Sequence, residues 1–96
     1  MPTSIAAVPT DAAERYAKQL LAHLGRKNVV EPVQGSPEAG RLIFAYGMGT
    51  VRPEQGRLVL EATASDDESL ARVKDVLGRH LERFGARREL VVHWSS

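Results

Sequence analysis

Two segments of the chain carry apolar residues at helical spacing, and short segments of alternating residues lie before, between and after them. The first helical stripe runs from Ala13 to Leu24 and the second from Leu70 to Phe84. A helix buries one stripe and a strand buries one face, so both patterns must contribute to a shared core. The combination predicts a domain in which two helices cover a sheet.

The alternating segments predict strands over about 4–8, 29–33, 41–46, 50–52, 57–64 and 89–94. The four central strands follow one another through short turns, which favours antiparallel pairing. Pro32 suits an edge strand or a bulge, because proline cannot donate to a ladder. Gly47 and Gly49 bracket Met48, where we expect a bend. We predict an α+β fold, an antiparallel sheet with two helices packed on one face, in the order β-α-β-β-β-β-α-β.

Local signals define the helix ends. Thr10 is a suitable N-cap for the first helix, and Gly25 suits a left-handed C-cap. Ser65 and Glu68 have the spacing of a capping box for the second helix, which Gly85 ends. These signals agree with the apolar stripes.

Length and composition predict a single domain over residues 1–96. With 43% hydrophobic residues, the chain can build one core and has no room for a second. The absence of cysteine excludes disulfides and thiolate chemistry and favours the cytoplasm. We predict no signal peptide and no membrane-spanning segment, since no apolar run approaches the roughly 20 residues required.

The charge balance argues against nucleic-acid binding. Thirteen basic residues against twelve acidic ones leave a formal charge of +1. The densest basic cluster comprises Arg79, Arg83, Arg87 and Arg88, and Glu82 and Glu89 dilute it. A nucleic-acid interface usually has a continuous basic stripe.

Histidine is the residue type here that titrates near neutrality and ligates metals through nitrogen. His23 lies at the border of the first stripe, and His80 lies within the apolar arc of the second helix. His93 is expected on the opposite side of the sheet, so three converging metal ligands are not predicted. Whether His23 and His80 meet depends on how the helices cross, which leaves open both a metal or acid–base role and a structural one.

The sheet face away from the helices is the other candidate site. Strand alternation places on it Ile43, Ala45, Val59 and Val91 together with Arg41, Glu61, Thr63 and His93. Apolar side chains on adjacent strands could be buried against a ligand, a protein partner or a second copy of the chain. A solvated face with scattered aliphatic residues is the alternative. The ligand or interface candidates are Ile43, Val59, Glu61, Val91 and His93.

No catalytic constellation is predicted. Serine, histidine and aspartate occur, but none lies in a nucleophile-elbow context. Gly47-Met48-Gly49 resembles a fragment of a phosphate-binding loop, but it neither opens a helix nor precedes a lysine. We therefore assign no catalytic residue, metal ligand or cofactor.

Blocks of sequence carry a family resemblance. They are Arg15-Tyr16-Ala17-Lys18-Gln19-Leu20-Leu21-Ala22-His23, Phe44-Ala45-Tyr46-Gly47, His80-Leu81-Glu82-Arg83-Phe84 and Arg88-Glu89-Leu90-Val91-Val92-His93-Trp94. From about Ala6 to Trp94, the chain resembles the prokaryotic family of domain of unknown function 2218. The residues that match it are Arg15, Tyr16, His23, His80, Arg83, Phe84 and Trp94, whereas His93 lies at a position that its pattern does not fix. The resemblance implies an association with iron and siderophore handling, but no mechanism.

The leading hypothesis is a small, non-enzymatic binding or accessory module that acts through the open sheet face or as a homodimer. Its partner would be a second copy of the chain or another protein. The alternative is a small metal-dependent or acid–base enzyme using His23 and His80, with Tyr16 nearby. Nucleic-acid binding through the basic cluster from Arg79 to Arg88 is a third hypothesis, which the charge balance disfavours.

Overall fold

A computed structural model describes residues 2–86 and 90–95. Within those residues the elements are β1 (Thr3–Pro9), α1 (Ala13–Leu24), β2 (Val29–Val33), β3 (Ser36–Phe44), β4 (Gly47–Glu54), β5 (Arg57–Thr63) and α2 (Asp67–Phe84). The strands form one antiparallel sheet, and the helices complete an α+β fold. The predicted fold class and the order of these elements are confirmed.

The strands lie in the order β1-β5-β4-β3-β2. β1 is antiparallel to β5, in a register that runs from Thr3 opposite Thr63 to Pro9 opposite Arg57. Pro32 lies in the edge strand β2, next to a shift in register, as its missing N–H predicts. The hairpin between β4 and β5 closes at Gly56, whose φ of 76° suits glycine.

The core lies between one face of the sheet and the two helices. Its largest fully buried side chains include Leu20, Leu42, Leu58, Leu60, Leu77 and Leu81. Burying one such leucine contributes about 1.5–3 kcal/mol. The polar faces of both helices remain outside, and neither helix in the described residues has the length and apolar character of a bilayer-spanning segment.

The predicted bend at Gly47-Met48-Gly49 is wrong, because β4 runs straight through both glycines. Their function is close approach to α2. A Cβ added at Gly49 would lie 2.8 Å from Leu77 Cδ1 on α2. One at Gly47 would lie 2.6 Å from the Thr63 carbonyl oxygen on β5 and 2.8 Å from Val73 Cγ2 on α2. Glycine therefore lets the strand pass directly beneath the helix.

The helix ends differ in detail from the predicted caps. Thr10 Oγ1 accepts a hydrogen bond from the Ala12 N–H at 3.1 Å and so shapes the turn before α1, which begins at Ala13. Asp66 rather than Ser65 caps α2: its carboxylate accepts from the Ser69 N–H at 2.7 Å. That bond lowers the pKa of Asp66, because it favours the ionised carboxylate. Gly25 is not left-handed, with φ at −68°.

The predicted final strand is not formed in the described part of its range. Residues 90–95 are neither helix nor strand, and Glu89 lies outside the described residues. The segment has one backbone bond to the sheet, from Ser95 N–H to the Ile5 carbonyl at 2.9 Å. The Val92 N–H instead donates to Glu82 Oε2 at 2.9 Å. An amide bound to a helix side chain cannot extend a ladder, so the segment lies beside α2 and β1 without joining the sheet.

Candidate functional sites

The face of the sheet that the helices leave uncovered, here called the open face, carries an apolar row across neighbouring strands. In the register, Val29 of β2 lies opposite Ile43 of β3, and Ile43 lies opposite Met48 of β4. Val29 is 61% exposed and Met48 36%, while Ile43 is half-buried. Three adjacent apolar side chains in one row form a contiguous patch.

A polar row lies next to the apolar row on the open face. It contains Glu31, Arg41, Thr50 and Glu61 in strand order from β2 to β5. On β1 the row ends at the exposed, apolar Ile5. Arg41 Nη1 lies 4.0 Å from Glu31 Oε1, at the limit of an ion pair. Glu61 is half-buried, and none of the ion pairs found in the described part of the chain includes it. The open face therefore presents a cation on β3 and an anion on β5.

Val59 lies on the open face but is only 5% exposed. It is opposite Arg52 on β4 and Ala7 on β1. Next to Val59, at the hairpin between β4 and β5, Glu54 forms ion pairs with two arginines. Its carboxylate oxygens lie 3.1 Å from Arg52 Nε and 2.7 Å from Arg57 Nη2. The hydrogen bonds from Arg57 and then Arg52 lower the pKa of Glu54. Since Val59 is outside the core beneath the helices, its burial comes from neighbours on its own face, and it offers little surface to a partner.

Two of the five ligand or interface candidates, Val91 and His93, lie outside the sheet. Both are exposed, Val91 by 52%. They alternate along residues 90–95 with Leu90, Val92 and Trp94, which are half-buried against the core. The alternation inferred from the sequence is therefore present, but the segment is not a strand. The open face consists of side chains from β1 to β5.

The ends of the two helices bring His23 and His80 together. Their ring centroids are 5.2 Å apart, with 44° between the ring planes. The ring of Phe84 meets His23 edge-on at 5.5 Å. His80 Nδ1 lies 2.7 Å from the Val76 carbonyl oxygen, so Nδ1 carries the proton and Nε2 is the free nitrogen. The sequence could not predict whether these two histidines lie close together. They do so because α1 and α2 pack side by side.

Basic residues surround the histidine pair. A cavity of about 430 Å³ is lined by His23, Leu24, Arg26, Lys27, Asn28 and His80. A second cavity on the other side of His80 is lined by Asp75, Val76, Arg79, His80 and Arg83. Its carboxylate, Asp75, binds Arg79 Nε at 2.9 Å. In the described residues, no group of three or more histidine, cysteine or acidic side chains is placed to hold a metal ion.

The sequence pattern of a bacterial family, described as "Uncharacterized protein conserved in bacteria (DUF2218)", matches residues 5–95. The chain belongs to this family. The match confirms the resemblance inferred from the sequence blocks. The chain is also similar to PA4090 from Pseudomonas aeruginosa, whose NMR structure shares 28% sequence identity and a TM-score of 0.79 over 99% of this chain and 96% of that one. No curated protein matches the chain.

The residues that carry the DUF2218 resemblance lie in separate places. His23, His80 and Phe84 form the ring cluster, and Arg83 lines the adjoining cavity. Tyr16 is buried with Arg15 over its ring, about 10 Å from His23 along the helix axis. The structure thus places Tyr16 in the core, two helical turns from His23, and its part beside the histidines stays a prediction.

Trp94 lies across α2 from the histidine pair. Its Nε1 would be 3.6 Å from a Cβ added at Gly78, and Lys74 Nζ lies 6.0 Å from its ring. The small residue at position 78 lets the indole approach the helix backbone. Trp94 thus holds the segment 90–95 against α2. Of the predicted basic cluster, Arg87 and Arg88 lie outside the described residues.

Several contacts of this DUF2218 domain were missed from the sequence. From the sequence, Met48 was not assigned to either face of the sheet, because a bend was expected there. Ile5 and Val29 were also not assigned to the open face. Counting alternation through the glycines would have found Met48. The contacts of Arg72 were not predicted either: its guanidinium lies 4.1 Å from the centre of the Tyr46 ring, and Tyr46 stacks on Phe44 at 5.4 Å.

A cavity of about 670 Å³ lies between α1 and β3. Its lining residues are Glu14, Arg15, Lys18, Leu21, Pro37, Glu38 and Ala39. Desolvation raises the pKa of Glu38, and the charge and hydrogen bond of Glu14 raise it further. Arg15 and Lys18 on the same rim balance this pair of carboxyl groups, so the cleft has no single dominant charge.

Proposed function

We propose that this chain is a small, non-enzymatic binding module that acts through its open face and pairs there with a second copy of itself. The observation that carries the proposal is the contiguous row of Val29, Ile43 and Met48. An uncovered sheet face in water is usually more polar than this. Packing two such faces together would remove the apolar row of both copies from water.

The charges on the open face support self-pairing. A two-fold axis lying between the sheets and parallel to β4 would set Met48 against Met48 of the second copy. Because neighbouring strands are about 4.8 Å apart, β3 and β5 lie at equal distances from that axis. Arg41 of each copy would then face Glu61 of the other. An isologous contact requires such self-complementarity.

The charged pair also suggests why the surface would select its own copy. Within one copy, the ion pair that the described residues show for Arg41 is the 4.0 Å contact with Glu31. A better-placed carboxylate from a second copy would form two equivalent ion pairs across the interface. Complementary charges of this kind fix the register of association more than they add affinity.

A charged side chain in the middle of the apolar row tests the proposal. We expect Met48→Glu to convert a dimer into a monomer, because it sets two carboxylates against each other at the two-fold axis. Sedimentation velocity over a concentration series measures the change. Met48 suits this test better than Val59, whose burial would make a glutamate there a test of folding.

The matched control is Val91→Glu, which adds the same charge at an exposed apolar residue outside the sheet. It should leave the dimer intact. A wild-type chain that stays monomeric at millimolar concentration, or equal dimerisation by both variants, would contradict the proposal. Circular dichroism checks that each variant is folded.

We also propose, from the family resemblance, that the module serves iron or siderophore handling in the cytoplasm. If so, a ferric siderophore should raise the melting temperature of the wild-type chain, and the iron-free siderophore should raise it less. A melting temperature that no ferric siderophore changes would contradict this setting. It would leave self-pairing untouched, because sedimentation tests that separately.

A further inference from the structure

We propose that His23 and His80 form a two-histidine site for a divalent transition-metal ion, with zinc as the ion whose geometry fits. The site is independent of the open face, since it lies at the ends of the helices on the other side of the sheet. Imidazole nitrogen is a good ligand for zinc and for its first-row neighbours. The contacts of the two rings carry the inference.

The spacing of the rings matches joint ligation. A zinc–nitrogen bond is about 2.0–2.1 Å, and tetrahedral geometry sets two such bonds roughly 109° apart. Adding about 1.1 Å from each nitrogen to its ring centre puts the two centroids about 5 Å apart in a zinc site. The observed separation of His23 and His80 is 5.2 Å.

His80 already has the orientation of a metal ligand. Its Nδ1–H donates to the Val76 carbonyl oxygen at 2.7 Å, which leaves the Nε2 lone pair available. A histidine that binds metal usually donates its other N–H to a carbonyl or carboxylate in this way, which fixes the tautomer and raises the basicity of the free nitrogen. Because Val76 is one turn earlier on the same helix, this orientation needs no metal to form.

The ring of His23 is packed against an aromatic neighbour. Phe84 meets its ring edge-on at 5.5 Å, with 84° between the planes. His23 also lies in the last turn of α1, where the negative end of the helix dipole favours a cation. Two ligands on packed helices are more precisely placed than ligands on loops.

The protein supplies two ligands and leaves the other positions open. No third histidine, cysteine or acidic residue completes the set among residues 2–86 and 90–95. Water or a small anion would therefore occupy the remaining positions. Arg26, Lys27 and Arg83 line the adjoining cavities. Their positive charge opposes the metal cation itself and favours an anion over water as the remaining ligand. Asp75 binds Arg79 and adds no ligand.

Zinc titration tests the site by isothermal calorimetry on the full chain at pH 7.5. We expect one zinc ion to bind per chain. Both His23→Ala and His80→Ala should lower the affinity at least about 10-fold, because each removes one of two protein ligands. His93→Ala is the matched control: it removes an exposed histidine outside the pair and should bind as the wild type does.

Acid provides an independent readout. Metal ligation requires neutral imidazole, so zinc affinity should fall steeply from pH 7.5 to pH 5.5. A ring contact without a metal site would appear as no zinc binding, or as equal zinc affinity in all three histidine variants. Either result would overturn the proposal.

Discussion

Replacing Leu77 with alanine is expected to lower the free energy of unfolding by about 2–5 kcal/mol. Leu77 lies in the middle of α2, is fully buried and projects onto β4. Its truncation removes apolar burial and leaves a cavity that the rigid sheet below cannot close. That loss is a large part of the roughly 5–15 kcal/mol by which a domain is stable. Urea denaturation followed by circular dichroism measures it.

A double-mutant cycle with Gly49 isolates the contact between helix and strand. The alanine Cβ at position 49 would lie 2.8 Å from Leu77 Cδ1, so Gly49→Ala should destabilise the wild-type chain by about 1–3 kcal/mol. In the Leu77→Ala background the methyl group enters the cavity, and the cost should fall. Strictly additive effects would contradict the close approach of β4 to α2. Val91→Ala, at an exposed position, should change stability by less than about 0.5 kcal/mol.

Reversing either charge of the open face is expected to weaken self-association at least about 10-fold. In the proposed dimer, Arg41→Glu sets a carboxylate against Glu61 of the second copy, and Glu61→Arg sets a guanidinium against Arg41 of the second copy. Like charges that face each other across an interface cost several kcal/mol. Sedimentation velocity gives the dissociation constants of both variants and of the wild type.

The fold of each variant should be unaffected, because neither charge is important within one chain. Arg41 has one long ion pair at 4.0 Å, and Glu61 is in none of those found in the described residues. Equal melting temperatures for both variants at low protein concentration would support this. Unchanged dissociation constants would contradict the proposed axis, even if the chain dimerises.

The sequence was sufficient to predict the fold because its periodicities are strong. The stripes of α1 and α2 and the alternation from Arg41 to Phe44 in β3 agree with the observed burial. Pro32 predicted an edge strand for a reason of backbone chemistry, which tertiary packing cannot override. Local rules were therefore enough wherever one element determined the result.

The errors arose where two elements meet. Gly47 and Gly49 suggested a bend, but glycine here serves the approach of α2, which no local pattern encodes. The final segment alternates as a strand does, yet the Val92 N–H binds Glu82 on α2. A side chain ten residues away in the chain competes for an amide that a ladder would need. Such competition depends on packing and is invisible in the segment itself.

The same holds for the candidate sites: features that depend on one strand or helix were predictable from the sequence, and features that depend on packing between elements were not. Alternation was enough to put Ile43, Val59 and Glu61 on one face, but not to show that Val59 is covered there by its own neighbours. The distance between His23 and His80 depends on the crossing of two helices, and spacing along one helix cannot predict it. Tyr16, seven residues from His23, has its own place in the core.

Mixing the two charge-reversal variants is the decisive test of whether two copies pair through their open faces. Arg41→Glu and Glu61→Arg chains should each be weak dimers alone, but an equimolar mixture should form a heterodimer, because every facing pair then has opposite charge. Sedimentation velocity with one variant fluorescently labelled would detect it. Our account predicts that the mixture associates about as tightly as the wild-type chain. A mixture as weakly associated as its separate components would show that Arg41 and Glu61 do not face each other across a two-fold axis.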